Sequence, residues 1–363
     1  MLAEMTETKK IHNFSAGPCI LPRQVLEKSA KAVIELDDIG LSLIEISHRS
    51  KEFISVMEKA RALVKELLNV PENYSVLFLQ GGASLGFLTA AHNFMRKDGK
   101  SAYTVTGEWA RKAAKEAKYA GEVDIIATSE DKNFNYIPKN FEIPANADYL
   151  HLTSNNTIFG TQFKSFPESS IPIICDMSSD IFSRKIDVSK FALIYAGAQK
   201  NMGTAGTTLY IVNNDLLGKT EREIPSMLNL QVHIDKDSMF NTPPVFAVYT
   251  CMLTLEWLKS IGGVDAIEEI NNQKADLIYG EIDRNPLFEG TTEKEDRSIM
   301  NATFVLKDET HKEEFDKLWQ EAGISGIKGH RSVGGYRASM YNALPLESVQ
   351  VLVDVMQEFE TKI

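Results

Sequence analysis

Lys200 stands just beyond an apolar run rich in β-formers, Phe191-Ala192-Leu193-Ile194-Tyr195, within the small-residue setting Gly197-Ala198-Gln199-Lys200-Asn201-Met202-Gly203. Such a run reads as a buried strand that delivers one amine to an interior site. Burial disfavours the ammonium and lowers its pKa, and the free amine can then form a Schiff base with a carbonyl compound or with pyridoxal phosphate. An ordinary exposed loop lysine fits the same segment. Asp176 ends a second apolar run, Ile171-Pro172-Ile173-Ile174-Cys175. A carboxylate there needs a partner, and a protonated pyridine nitrogen is a fitting one, because protonation lets the ring accept electrons from a carbanion. In isolation, an aspartate beside Ser178 and Ser179 is equally a turn or cap residue.

The remaining candidates bind anions or rings. Gln80-Gly81-Gly82-Ala83-Ser84-Leu85-Gly86 puts glycines between a strand pattern and a helix start, where free backbone N–H groups and a positive dipole end suit a phosphate. The same stretch comes close to G-x-G-x-x-G with Glu108 about 20 residues further on, the pattern of a nicotinamide dinucleotide fold. It also fits a plain tight turn. Trp109 opens a helix at the same sheet edge, where it suits stacking on a cofactor ring or simple half-burial, and Thr157 has a hydroxyl for the ring hydroxyl or the phosphate. His48-Arg49, His330-Arg331 and Arg337 form a second constellation. Arginine's planar fork matches carboxylate and phosphate oxygens, so several near one crevice imply a substrate with two anionic ends, whereas singly each reads as solvated surface charge.

These residues need a scaffold that brings strand ends together. From residue 75 to residue 128, short β-rich runs (75–80, 101–106, 123–128) alternate with helical patterns (83–95, 109–119), which predicts parallel crossover units and a doubly wound α/β sheet. Runs at 149–154, 171–175, 191–195 and 207–212 add strands. Ligands of such sheets bind outside the carboxyl ends of strands, so residues after 154, 175 and 195 should share one crevice. Helices are expected at 22–36, 53–68, 245–259 and 264–282, then strand, helix, strand and helix at 300–306, 313–322, 334–341 and 346–359. That change predicts a small α+β C-terminal domain, with the boundary near Gly262. A chain of 363 residues exceeds what one core usually serves.

Composition narrows the function. The net charge of −11 disfavours nucleic acid, so an anionic substrate must be met by local arginines. No apolar run approaches the roughly 20 residues that span a bilayer. Residues 1–10 are polar, without a secretory core, and Met5 marks an added leader or an alternative start, so the expected location is cytoplasmic. The three cysteines, Cys19, Cys175 and Cys251, are odd in number and lack metal spacing, and no metal site is expected.

Taken in order, the motifs resemble a known family. They are Asn13-Phe14-Ser15-Ala16-Gly17-Pro18, Ser47-His48-Arg49-Ser50, Gln80-Gly81-Gly82-Ala83-Ser84, Gly107-Glu108-Trp109, Ser154-Asn155-Asn156-Thr157-Ile158-Phe159-Gly160, Cys175-Asp176-Met177-Ser178-Ser179, Tyr195-Ala196-Gly197-Ala198-Gln199-Lys200-Asn201, Asn241-Thr242-Pro243-Pro244 and His330-Arg331-Ser332-Val333-Gly334-Gly335-Tyr336-Arg337. From His12 onward the chain resembles the phosphoserine aminotransferase family, within the class V group of fold type I enzymes that use pyridoxal phosphate. The resemblance implies a large domain over 17–262 with a mainly parallel seven-stranded sheet, a small C-terminal domain over 263–363, and an N-terminal segment, 1–16, packed on the small one. It also implies roles. Lys200 would carry the cofactor, Asp176 pair with the pyridine nitrogen, Trp109 stack on the ring, and Thr157 meet the ring hydroxyl. Ala83, Ser84 and Gln199 would hold the phosphate, joined by Asn241 and Thr242 of the second subunit of a homodimer. Arg337, with Ser15 nearby, would grip the α-carboxylate; His330 and Arg331, with His48 and Arg49 of the second subunit, would hold the distal phosphate or carboxylate.

The implied reaction interconverts 3-phosphohydroxypyruvate plus L-glutamate with O-phospho-L-serine plus 2-oxoglutarate by ping-pong exchange. That is a step of serine biosynthesis, with 4-phosphohydroxythreonine of pyridoxine biosynthesis as a further substrate. Met202 and Thr204, where relatives commonly carry a bulkier aliphatic residue and a proline, and a short stretch around 133–147 depart from the family without touching a named contact. The rivals are a cysteine desulfurase, which needs a mobile thiol nucleophile, an alanine-glyoxylate type aminotransferase, which has no use for so many distal cations, and a nicotinamide dehydrogenase, which leaves Asp176 and Lys200 unexplained. A binding scaffold without catalysis would take up the cofactor and show no half-reaction with glutamate.

Overall fold

The apolar runs between residues 74 and 213 are too continuous to face water on either side, and they form one central sheet with apolar clusters on both faces. In the computed structural model the described residues are 10–331 and 333–363; residues 1–9 of the expected N-terminal segment, and Ser332 of the arginine loop, lie outside them. The chain runs β1 (His12–Asn13), α1 (Arg23–Ile34), α2 (Lys51–Leu67), β2 (Tyr74–Leu79), α3 (Gly82–Phe94), β3 (Lys100–Val105), α4 (Glu108–Ala117), β4 (Glu122–Thr128), β5 (Leu150–Thr153), β6 (Ile173–Asp176), β7 (Leu193–Gly197) and β8 (Thr208–Asn213). It continues through α5 (Leu230–Ile234), α6 (Val245–Ser260), α7 (Gly263–Arg284), β9 (Phe288–Gly290), β10 (Asn301–Leu306), α8 (Lys312–Glu321), β11 (Ile324–Ser325), β12 (Tyr336–Ser339) and α9 (Leu346–Lys362).

The central sheet has seven strands in the order β2-β8-β7-β6-β5-β3-β4. Neighbours from β7 to β4 are parallel, and β8 alone runs antiparallel to both its neighbours. The reversal follows from chain length: residues 198–207 join β7 to β8, fewer than the dozen or so a parallel crossover requires. Lys200 therefore rides on a tight return at the end of β7. On one face, Gly86 of α3 lies against the Tyr195 ring, where an added Cβ would come within 2.8 Å of it, so a larger residue would lift the helix from the strand. On the other, α1, α2 and α6 cover Val76, Phe78 and Ile211.

The C-terminal part carries its own antiparallel sheet, β12-β10-β9, under α7, α8 and α9. Its core is aromatic: Phe315 meets Phe288 at 5.1 Å and Tyr336 at 5.0 Å between ring centroids. Such pairs add about 0.5–1.5 kcal/mol each beyond burial. The N-terminal piece returns here: β1 pairs in parallel with β11, and His12 Nδ1 lies 2.9 Å from Ser348 Oγ.

A buried lysine fastens the junction. Lys274, on α7 and fully buried, donates from Nζ to the carbonyls of Met340, Tyr341 and Leu344 at 3.1, 3.0 and 3.2 Å. The turn it holds docks on the loops beyond β6 and β7, since the Asn342 backbone N–H donates to Asn201 Oδ1 at 3.0 Å and Asn342 Nδ2 to the Phe182 carbonyl at 2.9 Å. Lys274→Met keeps the aliphatic stem and removes the Nζ donor from those carbonyls, of which that of Tyr341 still accepts from the Leu344 N–H. Urea denaturation is expected to show a loss of about 1–3 kcal/mol, the range for leaving buried polar groups without their hydrogen-bond donor. An unmoved midpoint would remove Lys274 from the groups that hold the junction.

Candidate active site

The parallel register sets Thr153, Asp176 and Tyr195 side by side at the ends of β5, β6 and β7. The segments that follow, around Thr157, Ser178 and Lys200, then converge on one cavity, as expected at the carboxyl edge of a parallel sheet. Asp176 is buried, and Ser178 N–H donates to its Oδ1 at 2.9 Å. Burial raises its pKa; the Ser178 hydrogen bonds and the Lys200 amine oppose that without cancelling it. A carboxyl so placed is suited to a cationic partner inside the cavity.

Lys200 Nζ donates to Thr157 Oγ1 at 2.9 Å. Burial lowers its pKa to about 8 against the pull of Asp176, with the Arg337 charge adding to the lowering. The amine therefore has a substantial neutral fraction near physiological pH, the state in which it is nucleophilic. It lies 6.0 Å from the Trp109 ring centroid, and Trp109 forms one cavity wall.

One side of the cavity is built by the start of α3. Its N-cap, Gly81, has φ 102°, a left-handed conformation that glycine adopts without strain. The first N–H groups of a helix have no intrahelical acceptor, so those of Gly82, Ala83 and Ser84 are available at the positive end of the dipole. Ala83, Ser84 and Gln199 line the cavity there. Gln80 Nε2 donates to the carbonyl of Thr242, which ties the exposed loop of Asn241 and Thr242 to the end of β2 without placing either side chain in the cavity.

Arg337 projects from β12, in register with Thr303 of β10, and its Nη1 donates to the Thr157 carbonyl at 3.2 Å. Its Nε is buried without a partner, a free donor for a bound carboxylate. The adjoining loop is closed by Gly329 N–H to the Gly335 carbonyl at 2.9 Å, and by Val333 N–H to the His330 carbonyl at 2.8 Å. His330 is half-buried, and burial, then the Arg337 and Arg331 charges, keep its imidazole below the usual pKa. Arg331 is exposed. Ser15 is half-buried beside Gly326 rather than on the cavity wall. His48 and Arg49 lie in the turn just before α2, and neither lines the cavity.

Sequence reasoning places Asn155 at the shared crevice and assigns no ligand role to Thr153, Ser178 or Ser179, and all four line the cavity. Thr153 Oγ1 is buried with no hydrogen-bond partner, so the site holds a polar atom that only a ligand or water can satisfy. That orphan, the buried carboxylate, the amine and the helix N-terminus fit pyridoxal phosphate. The rivals fit less well. Cys175 and Cys251 are buried with raised pKa, and Cys19, pushed up to about 12 chiefly by burial, donates its thiol to the Lys200 carbonyl at 2.6 Å. None offers a thiolate. Glu108, the ribose partner in a dinucleotide fold, is paired with Arg111 at 2.5 Å.

Comparison with known proteins agrees with this geometry. The family model described as aminotransferase class-V matches residues 11–352. A curated phosphoserine aminotransferase from Flavobacterium psychrophilum is 65% identical over 98% of this chain and 100% of its own length. Among solved structures, the phosphoserine aminotransferase of Bacillus circulans subsp. alkalophilus superposes with a TM-score of 0.94 at 43% identity, covering 97% of this chain and 99% of that one. The pyridoxal-phosphate-bound phosphoserine aminotransferase of Trichomonas vaginalis gives 0.91 at 35%, covering 96% and 100%. With its site and nearly its whole length aligned in this way, the chain belongs to the class V aminotransferases and, among them, to the phosphoserine aminotransferase family.

Proposed function

We propose that this protein is a transaminase that exchanges the amino group between L-glutamate and 3-phosphohydroxypyruvate, giving 2-oxoglutarate and O-phospho-L-serine, with pyridoxal phosphate as cofactor. The observation that carries the reading is that Lys200 and Asp176, from adjacent strands, line one cavity with Trp109 on its wall. When bound, pyridoxal phosphate supplies an electron sink for negative charge on the substrate α-carbon. The chain does the rest. Asp176 would keep a positive charge on the pyridine nitrogen favourable, Trp109 would hold the ring, and the α3 N-terminus with Gln199 would hold the phosphate. Lys200 Nζ, held by Thr157, accepts the α-proton of the amino donor and returns it at the end of the exchange. Arg337 would fix the α-carboxylate through its unpartnered Nε, and His330 with Arg331 would hold the distal anion.

The same proposal assigns a second copy of the chain to the assembly. His48, Arg49, Asn241 and Thr242 do not line the cavity of their own chain, and a homodimer partner would bring them to it. The proposal divides the chain at residues 16 and 262, supported by the separate apolar cluster around Phe288, Phe304 and Phe315. It places the protein in the cytoplasm, in keeping with three free cysteines. Among the described residues no helix is long and apolar enough to cross a membrane.

The test is a half-reaction. Purified protein loaded with pyridoxal phosphate should show a visible band that shifts on adding L-glutamate and returns with 3-phosphohydroxypyruvate; a band that ignores glutamate refutes the proposal. Cofactor capture by the stripped protein should also follow the amine. Because capture needs neutral Lys200, its rate is expected to rise with pH and level off above about 8. A flat profile from pH 6 to 9 would detach capture from Lys200.

A further inference from the structure

Lys112 lies one helical turn beyond Trp109 on α4, with its Nζ 4.5 Å from the indole centroid. Trp109 and Lys200 line the cavity and Lys112 does not, so this ammonium meets the cavity-wall indole without being part of the wall. Its neighbour Arg111 is committed, with Nη1 2.5 Å from Glu108 and Nη2 2.6 Å from Glu130. Lys112 is exposed and, among the described residues, has no carboxylate within ion-pair distance. Its charge also reaches His330, where it adds to the lowering of the imidazole pKa behind burial and the Arg337 and Arg331 charges. Beside the cavity-wall tryptophan there is thus a cation, held over an aromatic ring, to which the proposed reaction gives no role.

Resting on the transamination proposed above, we infer that Lys112 is a further specificity-determining residue. Its ammonium, held over the indole of Trp109, favours the phosphate end of one substrate over the carboxylate end of the other. Coulomb energy scales with the product of the charges, and a phosphate monoester carries about −1.5 to −2 at pH 7 where a carboxylate carries −1. One cation at a given distance therefore stabilises the phosphorylated substrate nearly twice as much, and removing it changes the two affinities by factors of which one is nearly the square of the other. Because Lys112 is exposed, the effect must weaken with salt.

The experiment compares Lys112→Gln and Lys112→Arg with the parent holoenzyme, using O-phosphoserine and L-glutamate as amino donors at low and high ionic strength. For Lys112→Gln, KM for O-phosphoserine is expected to rise about fourfold and KM for glutamate about twofold at low salt, with kcat little changed, as befits one exposed cation. Both rises should shrink at high salt, and Lys112→Arg should restore the parent values. Equal rises for both donors, rises that persist at high salt, or a loss confined to kcat would show that Lys112 merely props the indole and overturn the inference. A parent enzyme that consumes glutamate and never O-phosphoserine overturns the underlying reading as well. Parent turnover of both donors with an unaltered KM ratio in Lys112→Gln overturns the Lys112 assignment alone.

Discussion

Lys200→Ala is expected to slow the glutamate half-reaction by at least about 10²- to 10⁴-fold, the amount that one positioned acid–base group contributes. The figure is a floor, because the same Nζ is also the attachment point for the cofactor. Three features make this amine hard to replace. It is fixed by Thr157 at 2.9 Å, it is brought down to about 8 chiefly by burial, and Asp176 opposes further lowering. Lys200→Arg separates the roles: it keeps a cation on the return between β7 and β8 but supplies no group that loses its proton near neutrality. Single-turnover mixing with L-glutamate should therefore find both variants inactive, while far-ultraviolet dichroism stays that of the parent. Turnover of either variant within tenfold of the parent would mean that another group moves the proton.

How far the sequence alone reaches can be judged from individual residues. Lys200 and Asp176 are legible because each directly follows a continuous apolar run, and in a doubly wound sheet the residues after such runs share an edge. The direction of β8 is not marked by its own composition; it comes from the short return that carries Lys200, a length visible only once both strand limits are known. Thr153 is hidden for a related reason. A threonine at the end of a β-rich run looks like an ordinary strand residue, and only the register with Asp176 turns its hydroxyl into an unpartnered atom in the cavity. Lys274 reads as a surface residue of a long amphipathic helix, and its burial is decided by three carbonyls from a turn about 70 residues later in the chain. Arg337 meets the Thr157 loop, without lining the cavity itself, only because β12 pairs with β10 beside that loop. His48, Arg49, Asn241 and Thr242 gather into motifs in the sequence, yet the fold of one chain does not carry them to the cavity.

Asp176→Asn should have opposite effects on catalysis and on stability. For catalysis, the amide keeps the shape and the Ser178 hydrogen bond but removes the charge that favours a protonated ring nitrogen. A loss of about 10²- to 10³-fold is expected, comparable with deleting one preorganised electrostatic partner. For stability of the cofactor-free protein the change should help. Asp176 is buried and its pKa is raised above the ordinary 3.8, chiefly by burial, so the ionised form is disfavoured in the folded state. A raised carboxyl pKa gives stability that is complete below 3.8 and is lost as pH rises through the folded value, so at neutral pH the parent bears the full cost of the buried charge. Asparagine bears none of it. Stripped Asp176→Asn should therefore melt higher than the stripped parent at neutral pH, and the gap should close in acid. With the cofactor bound, the parent should recover more stability than the variant, because only the parent has an anion for the ring nitrogen to meet. A stripped variant that melts below the parent at neutral pH would show that Asp176 is balanced by groups of the chain itself, and the carboxylate would then not be reserved for a ligand.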